Sequence, residues 1–249
     1  MDIVTLLLLL VGGGFSGIVN AMIGGGSLIS VPLLIFSGLP PHLAIGTNRF
    51  AMIFNTGVGA IDYYGKVKYS LTLALELALA ASVGSYLGAM IVLQTAEASL
   101  KYIIGILMLV MGGVVVYKRK LGLEEKELKP TRVNYLAMAT LAFLLGIYGG
   151  FYGAGISTLF TFVFVSFLGM SFIKSAGITR FIVSLLSMIA FSVFLANGMV
   201  DFTYGVVLLV SFVAGAKIGV QLAVRAGNVW IRRLFVVLII VSSVRLLTT

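Results

Sequence analysis

The chain has 249 residues, of which 60% are hydrophobic and only 10% are charged, with a mean hydropathy of +1.16. A soluble domain carries about 25% charged residues, so this composition excludes an ordinary water-soluble protein and predicts an all-α polytopic membrane protein embedded in a lipid bilayer. The net charge of +9 comes from basic residues at segment ends and in one linker, which indicates cytoplasmic anchors rather than binding to nucleic acid.

Eight apolar segments are long enough to cross a hydrocarbon core of about 30 Å at about 1.5 Å per residue. They span residues 3–23, 44–64, 70–93, 100–118, 133–152, 175–196, 203–224 and 230–248. Two shorter apolar pieces, 27–39 and 156–170, follow the first and fifth segments and are predicted to be broken or re-entrant. No basic residue precedes the first segment, which we therefore interpret as a retained helix rather than a signal peptide.

The second half of the chain repeats motifs of the first half. The stretch GTNRF at 46–50 returns as GITRF at 177–181, and the glycine pair of 84–88 returns at 215–219, both 131 positions later. A highly charged stretch separates the two sets of motifs and predicts an aqueous linker. The predicted domains are an N-terminal transmembrane repeat (1–117), a charged linker (118–132) and a C-terminal transmembrane repeat (133–249).

The two repeats can be oriented in two ways. If the short pieces do not cross the membrane, there are eight crossings and the repeats run parallel; if they cross, there are ten crossings and the repeats are inverted. The inverted arrangement places a larger share of the basic residues on one face of the membrane. The positive-inside rule therefore favours an inverted repeat in the cell membrane with a cytoplasmic linker. A 13-residue crossing spans only about 20 Å, which keeps the parallel alternative open.

Glycine clusters interrupt both repeats at corresponding places. Three consecutive glycines weaken a helix because each costs about 1 kcal/mol relative to alanine, and the freed backbone must face protein or a water-lined cavity. Ser27, after the first cluster, is a good N-cap, and helix N-termini at paired breaks favour anions. The alternative is that the glycines only allow close helix packing. The predicted site residues in these clusters are Gly24, Gly25, Gly26, Ser27, Gly153, Gly155 and Ser157.

Two arginines lie at matching positions within apolar segments. Arg49 and Arg180 each cost at least about 2.5–3.5 kcal/mol to insert in a membrane, so they need a partner or a pathway. Neither has an obvious carboxylate nearby, and a guanidinium group can bind a sulfonate, carboxylate or phosphate in a bidentate manner. We predict an anion clamp to which Thr47, Asn48 and Thr179 add neutral donors. Snorkelling of both arginines to the interface is the alternative.

Glu76 is the acidic residue predicted to lie inside the membrane, seven residues into its segment. It is a candidate for carrying a coupling proton, and pairing with a cation such as Lys217 is the equal alternative. The aromatic residues are predicted to form interfacial belts and to fill packing space.

Side chains for metal binding or nucleophilic catalysis are scarce. The chain contains no cysteine and a single histidine, His42, which excludes disulfides, thiolate sites and histidine clusters. It has no P-loop of the form GxxxxGK[ST] and no Ser-His-Asp set. The sequence therefore predicts no enzyme activity, no cofactor and no metal site.

The stretch IGGGSLISVPLLIFSGLPPHLAIGTNRF, its weaker repeat after the linker and the Gly-x-x-x-Gly near each half's end resemble the TauE/SafE family of sulfite exporters and sulfonate permeases. The resemblance covers essentially the whole chain. It implies secondary transport of small sulfur-containing anions such as sulfite, sulfoacetate and other sulfonates, without ATP hydrolysis. An anion channel or uniporter, or a transporter of another small carboxylate anion, is the alternative, and proton dependence of the flux separates coupled transport from a channel.

Overall fold

The computed structural model describes residues 2–117 and 132–225, and every regular element in these ranges is an α-helix. In chain order the helices are α1 (Ile3–Ile23), α2 (Ser27–Phe36), α3 (Pro41–Lys66), α4 (Leu71–Gln94), α5 (Glu97–Tyr117), α6 (Arg132–Phe151), α7 (Ile156–Leu168), α8 (Phe172–Ala196) and α9 (Phe202–Arg225). Four of them contain spans that are long and apolar enough to cross a membrane. The prediction of an all-α polytopic membrane protein is confirmed.

The helices follow the predicted segments to within three residues, and α3, α5 and α8 each start three residues before the predicted position. α3 starts at Pro41, three residues before the predicted start, because a proline in the first turn already has helical φ and its missing N–H would be unpaired there. The two short predicted pieces are the short helices α2 and α7. The linker 118–132, apart from its last residue, and the predicted segment 230–248 lie outside the described residues.

The first helix of each half packs against the fourth helix of the other half through glycines. In one pair, Gly84 and Gly88 of α4 face α6, and a Cβ on Gly88 would lie 2.6 Å from the Phe151 amide nitrogen. In the equivalent pair, a Cβ on Gly219 of α9 would lie 2.6 Å from the Ile18 carbonyl oxygen of α1. Helices in lipid associate by such close contacts between small residues. The two halves are therefore interlocked rather than standing as separate bundles.

We expect Gly150→Ala to destabilise the protein. A Cβ on Gly150 would lie 2.6 Å from the carbonyl carbon of Ser85 on α4, and a rigid backbone atom cannot move aside cheaply. Overpacking of this kind costs about 1–3 kcal/mol, which a lowered unfolding temperature in detergent would register. Gly65→Ala is the matched control, because a Cβ on Gly65 meets nothing within 4 Å. Equal unfolding temperatures for the two variants would contradict the packing described for α4 and α6.

The equivalent helices α3 and α8 run antiparallel. Phe50, early in α3, contacts Phe191, late in α8, with ring centroids 5.5 Å apart, whereas Gly59, later in α3, lies against Arg180, early in α8. Between them, the Ser184 hydroxyl donates to a carbonyl of α3. Equivalent helices that cross antiparallel are what an inverted repeat requires, so the contacts favour inversion over the parallel alternative.

The short helix α2 returns alongside α1. A Cβ on Gly12 of α1 would meet Leu33 near the end of α2, and the Ser16 hydroxyl donates to the Gly26 carbonyl at the start of α2, 2.6 Å away. The two helices therefore form an antiparallel hairpin, and α3 then runs in the direction of α1. The described first half, residues 2–117, contains five helices, and an odd number of helices before α6 agrees with the antiparallel crossing of α3 and α8.

Candidate functional site

The first helix break lies between α1 and α2. Gly24 has φ 85°, a left-handed conformation that glycine adopts without a Cβ penalty, and its N–H donates to Asn20 O at 2.9 Å. Ser27 was predicted to cap α2, which is wrong: Gly26 occupies the N-cap position and Ser27 is the first helical residue. The Ser27 hydroxyl instead accepts from the Asn48 side chain at 3.0 Å.

The second break lies between α6 and α7 and contacts the first. Gly153 and Gly155 have φ 68° and 77°, so the chain turns through two left-handed residues before α7 starts. A Cβ on Gly24 would meet the side chain of Ser157 and lie 2.9 Å from the Thr158 amide nitrogen. The two breaks therefore touch each other across the interface between the halves.

Several backbone amides at the two breaks already have partners within the protein. The Gly26 amide donates to the Asn20 side chain at 3.3 Å, and the Leu28 amide donates to the Gly25 carbonyl at 3.0 Å. At the second break, the Ile156 amide donates to the Gly153 carbonyl at 3.1 Å. The expectation that orphan helix-end amides dominate the site is therefore not supported at these positions, and free donors must be sought among the side chains.

Arg49 reaches the second break from the other half of the chain. Its side chain is 0% exposed, and Nη2 donates to the Gly149 carbonyl near the end of α6, where a cation interacts favourably with the helix dipole. The guanidinium group lies against Gly153, whose added Cβ would be 2.5 Å from Nη1. The nitrogens Nε and Nη1 are buried and have no hydrogen-bond partner in the part of the chain that the structure describes. We call Arg49, Gly149, Gly153 and the adjacent Tyr152 the Arg49 centre.

Arg180 makes the equivalent contact at the first break. Its side chain is 2% exposed, Nη2 donates to the Asn20 carbonyl near the end of α1, and Nε and Nη1 are again buried without a partner. We call Arg180, Asn20, Gly59 and Tyr63 the Arg180 centre. Arg180 faces Gly59, ten residues after Arg49, so the two arginine backbones lie about 15 Å apart along the α3–α8 pair. Both arginines are buried in protein, which argues against the snorkelling alternative.

No carboxylate balances these two cations among the described residues. The buried polar side chains in residues 2–117 and 132–225 include both arginines but no aspartate and no glutamate. The ion pair found in these ranges joins His42 Nδ1 to the exposed Glu97 at 3.7 Å. A buried cation whose N–H groups are unpaired is costly, so each centre is suited chemically to an anion with several acceptor oxygens.

The neutral residues predicted beside the arginines mainly hold helices together. Asn48 accepts from the Ser30 hydroxyl at 2.6 Å in addition to its bond with Ser27, and so fixes α2 against α3. Thr47 accepts from the Asp201 amide at 2.9 Å, which places its hydroxyl at the loop before α9 rather than at a break. Thr179 accepts from Thr161 at 3.5 Å and joins α7 to α8.

Glu76 lies within Leu71–Gln94, a span long and apolar enough to cross a membrane, but its side chain is not buried among the helices. Glu76 is exposed on α4, as Lys217 is on α9, and the structure shows no ion pair between them. The buried face of α4 carries small residues such as Ala74, Ala78 and Ala81, and a helical step of 100° per residue places Glu76 on the opposite face. The proton-coupling role for Glu76 stays a prediction, and the helix packing adds no support to it.

Sequence reasoning missed two groups near the arginines. Asn20 donates to Asn55 Oδ1 at 2.5 Å, and Asn55 in turn donates to the Phe212 carbonyl at 2.8 Å, so a polar network supports the first break. Tyr148 and Tyr152 lie close enough to Arg49 to interact with its charge, although the aromatic residues had been predicted to act as belts and packing. Both tyrosines come shortly before Gly153 in the stretch YGGFYGAG, and this position beside the glycines was the available signal.

Comparison with known proteins identifies a family whose sequence model covers nearly the whole chain. The family model described as "Sulfite exporter TauE/SafE" matches residues 9–246. A probable membrane transporter protein, ORF9, from Sinorhizobium sp is 28% identical over 97% of this chain and 92% of its own length. A probable membrane transporter protein from Haemophilus influenzae is 28% identical (96% and 93%), and YfcA from Escherichia coli K12 is 27% identical (93% and 86%). No solved structure matches significantly.

Proposed function

Because the chain belongs to the TauE/SafE sulfite exporter family, we propose that it carries small sulfur-containing anions such as sulfite, sulfonates or sulfoacetate across the cell membrane. The observation that carries the proposal is the pair of buried arginines, Arg49 and Arg180, each with Nε and Nη1 unpaired at a helix break. The anion displaces no carboxylate on entering either centre, and its oxygens accept from N–H groups that otherwise have no partner.

The chemistry of the donors supports a fully ionised oxyanion as substrate. A guanidinium group offers five N–H donors and no acceptor. The described ranges contain no buried carboxylate that could act as an acceptor beside it. Sulfonates, the sulfite dianion and carboxylates need donors only, whereas hydrogen phosphate also carries an O–H that would find only neutral acceptors, such as the Tyr152 hydroxyl or a backbone carbonyl. We therefore expect phosphate to bind more weakly than the sulfur oxyanions.

We further propose export, with the linker 118–132 on the cytoplasmic side. An inside-negative membrane potential favours outward movement of an anion by about 2.3 kcal/mol per charge per 100 mV, and so export needs no coupling proton. The same potential opposes uptake, which would require a co-transported cation.

A ligand screen tests the proposed function. Purified protein in detergent is heated with sulfite, sulfate, taurine, sulfoacetate, carboxylate analogues or phosphate at equal ionic strength. A ligand at 100 times its dissociation constant stabilises the folded protein by about 2.7 kcal/mol, so we expect a clear rise in unfolding temperature with the sulfur oxyanions and little change with phosphate. A carboxylate that stabilises more than any sulfur anion would favour a carboxylate transporter. No shift with any anion, or the largest shift with phosphate, would contradict the proposal.

A further inference from the structure

The two arginine centres share their arginine contacts but differ in the phenol beside each arginine. Both arginines donate through Nη2 to the carbonyl of a broken helix from the other half, and both leave Nε and Nη1 unpaired. In the Arg180 centre, Tyr63 interacts with the charge of Arg180, and its hydroxyl donates to the Ala21 carbonyl at 3.2 Å. The phenolic hydroxyl of the Arg180 centre therefore already has an acceptor, the backbone near the end of α1.

The phenolic hydroxyl of the Arg49 centre is available to a ligand. Tyr152 is fully buried, and its hydroxyl has no hydrogen-bond partner within residues 2–117 and 132–225. It directly precedes Gly153, against which the Arg49 guanidinium lies. Tyr148, the other tyrosine near Arg49, donates its hydroxyl to the Ala154 carbonyl at 2.5 Å and so is occupied in shaping the break.

A buried hydroxyl without a partner requires an explanation, because such groups are rare and unfavourable. The matching position in the first half, 129 residues earlier, is Ile23, so the repeat does not require a hydroxyl there. An oxyanion bound to Nε or Nη1 of Arg49 would supply an acceptor for the phenolic O–H, and hydrogen bonds to charged groups are the strong ones.

We infer that the two centres are not equivalent: the Arg49 centre binds the oxyanion of the substrate more tightly, and the Tyr152 hydroxyl is one of its donors. This inference rests on the proposed function and assigns the binding of that substrate to one of the two breaks. The Arg180 centre has one phenolic donor fewer and binds the same anion more weakly.

Tyr152→Phe and Tyr63→Phe form a matched pair, because each removes one phenolic oxygen beside one arginine. Sulfite and sulfoacetate are titrated calorimetrically into the wild-type protein and both variants in detergent. We expect Tyr152→Phe to weaken anion binding about tenfold to hundredfold, since it removes a hydrogen bond to a charged group, and to leave the unfolding temperature of the anion-free protein unchanged or slightly higher. We expect Tyr63→Phe to lower that unfolding temperature and to change anion affinity less than about threefold.

Wild-type affinity in Tyr152→Phe, or equal losses in both variants, would overturn the inference. A third variant, Arg49→Ala, separates failure of this inference from failure of the proposed function. If Arg49→Ala abolishes anion binding while Tyr152→Phe binds like the wild type, the Arg49 centre binds the anion without the phenol, and only the role of Tyr152 is wrong. If neither anion binds to the wild-type protein, the proposed function itself fails.

Discussion

Arg49→Ala is expected to abolish sulfite efflux from proteoliposomes and to weaken sulfite binding by at least about 100-fold. The variant removes the buried cation of the Arg49 centre together with its unpaired Nε and Nη1 donors. Truncating one member of a buried, hydrogen-bonded charge pair costs about 2–5 kcal/mol, which corresponds to this loss. Efflux is measured with an imposed inside-negative potential, and binding is measured by calorimetry in detergent.

Two control variants separate this effect from general damage. Lys217→Ala removes a cation from the exposed face of α9 and should transport like the wild type. Arg49→Lys keeps the charge but loses the planar fork of donors, so we expect an affinity between those of the wild type and Arg49→Ala. The Arg49→Ala protein should still elute as a single species, because the variant loses one hydrogen bond to the Gly149 carbonyl but also relieves a buried charge. Wild-type transport by Arg49→Ala would show that Arg49 is a structural residue.

Gly153→Ala is expected to reduce anion binding and efflux severely without removing any charge. A Cβ at this position would lie 2.5 Å from Nη1 of Arg49 and 2.6 Å from the Gly149 carbonyl oxygen, so it would push the guanidinium away from the break. The residue also has φ 68°, which an alanine adopts only with strain. We expect a loss in affinity approaching that of Arg49→Ala, measured in the same titration.

Gly198→Ala controls for the backbone strain alone. Gly198 has φ 69°, nearly the same as Gly153, but an added Cβ there meets nothing within 4 Å. Both variants should therefore lose about 1–2 kcal/mol of stability from the left-handed conformation, and only Gly153→Ala should lose anion binding. Equal binding by the two variants would mean that the contact between Gly153 and Arg49 does not matter for the anion.

The helices and their breaks could be predicted because their signals are local. Apolar segments of sufficient length identified the spans, and the glycine clusters identified the two helix breaks, where left-handed backbone conformations occur. The repeated GTNRF and GITRF motifs also predicted that Arg49 and Arg180 are equivalent, and the structure gives both the same Nη2 contact with a broken helix.

The orientation of individual side chains could not be predicted in the same way. Both faces of a membrane helix are apolar, so hydropathy did not show that Glu76 faces outward on α4, although the small residues on the opposite face were a usable signal. Thr47 and Asn48 are adjacent to Arg49 in sequence, but successive helical residues point in different directions, and these two contact other elements. Tyr152 comes near enough to Arg49 to interact with its charge, and the two residues lie in different halves of the chain, so a local sequence pattern does not predict their proximity.

The position of a bound anion tests the central claim most directly. The selenite dianion has the shape and charge of the sulfite dianion, and selenium gives anomalous X-ray scattering that locates it in crystals of the wild-type protein held at alkaline pH. We predict selenium at the second break, with an oxygen within about 2.9 Å of an unpaired Arg49 nitrogen and another near the Tyr152 hydroxyl. Selenite found only at exposed cations such as Lys217, with both arginine centres empty at a saturating concentration, would contradict the account.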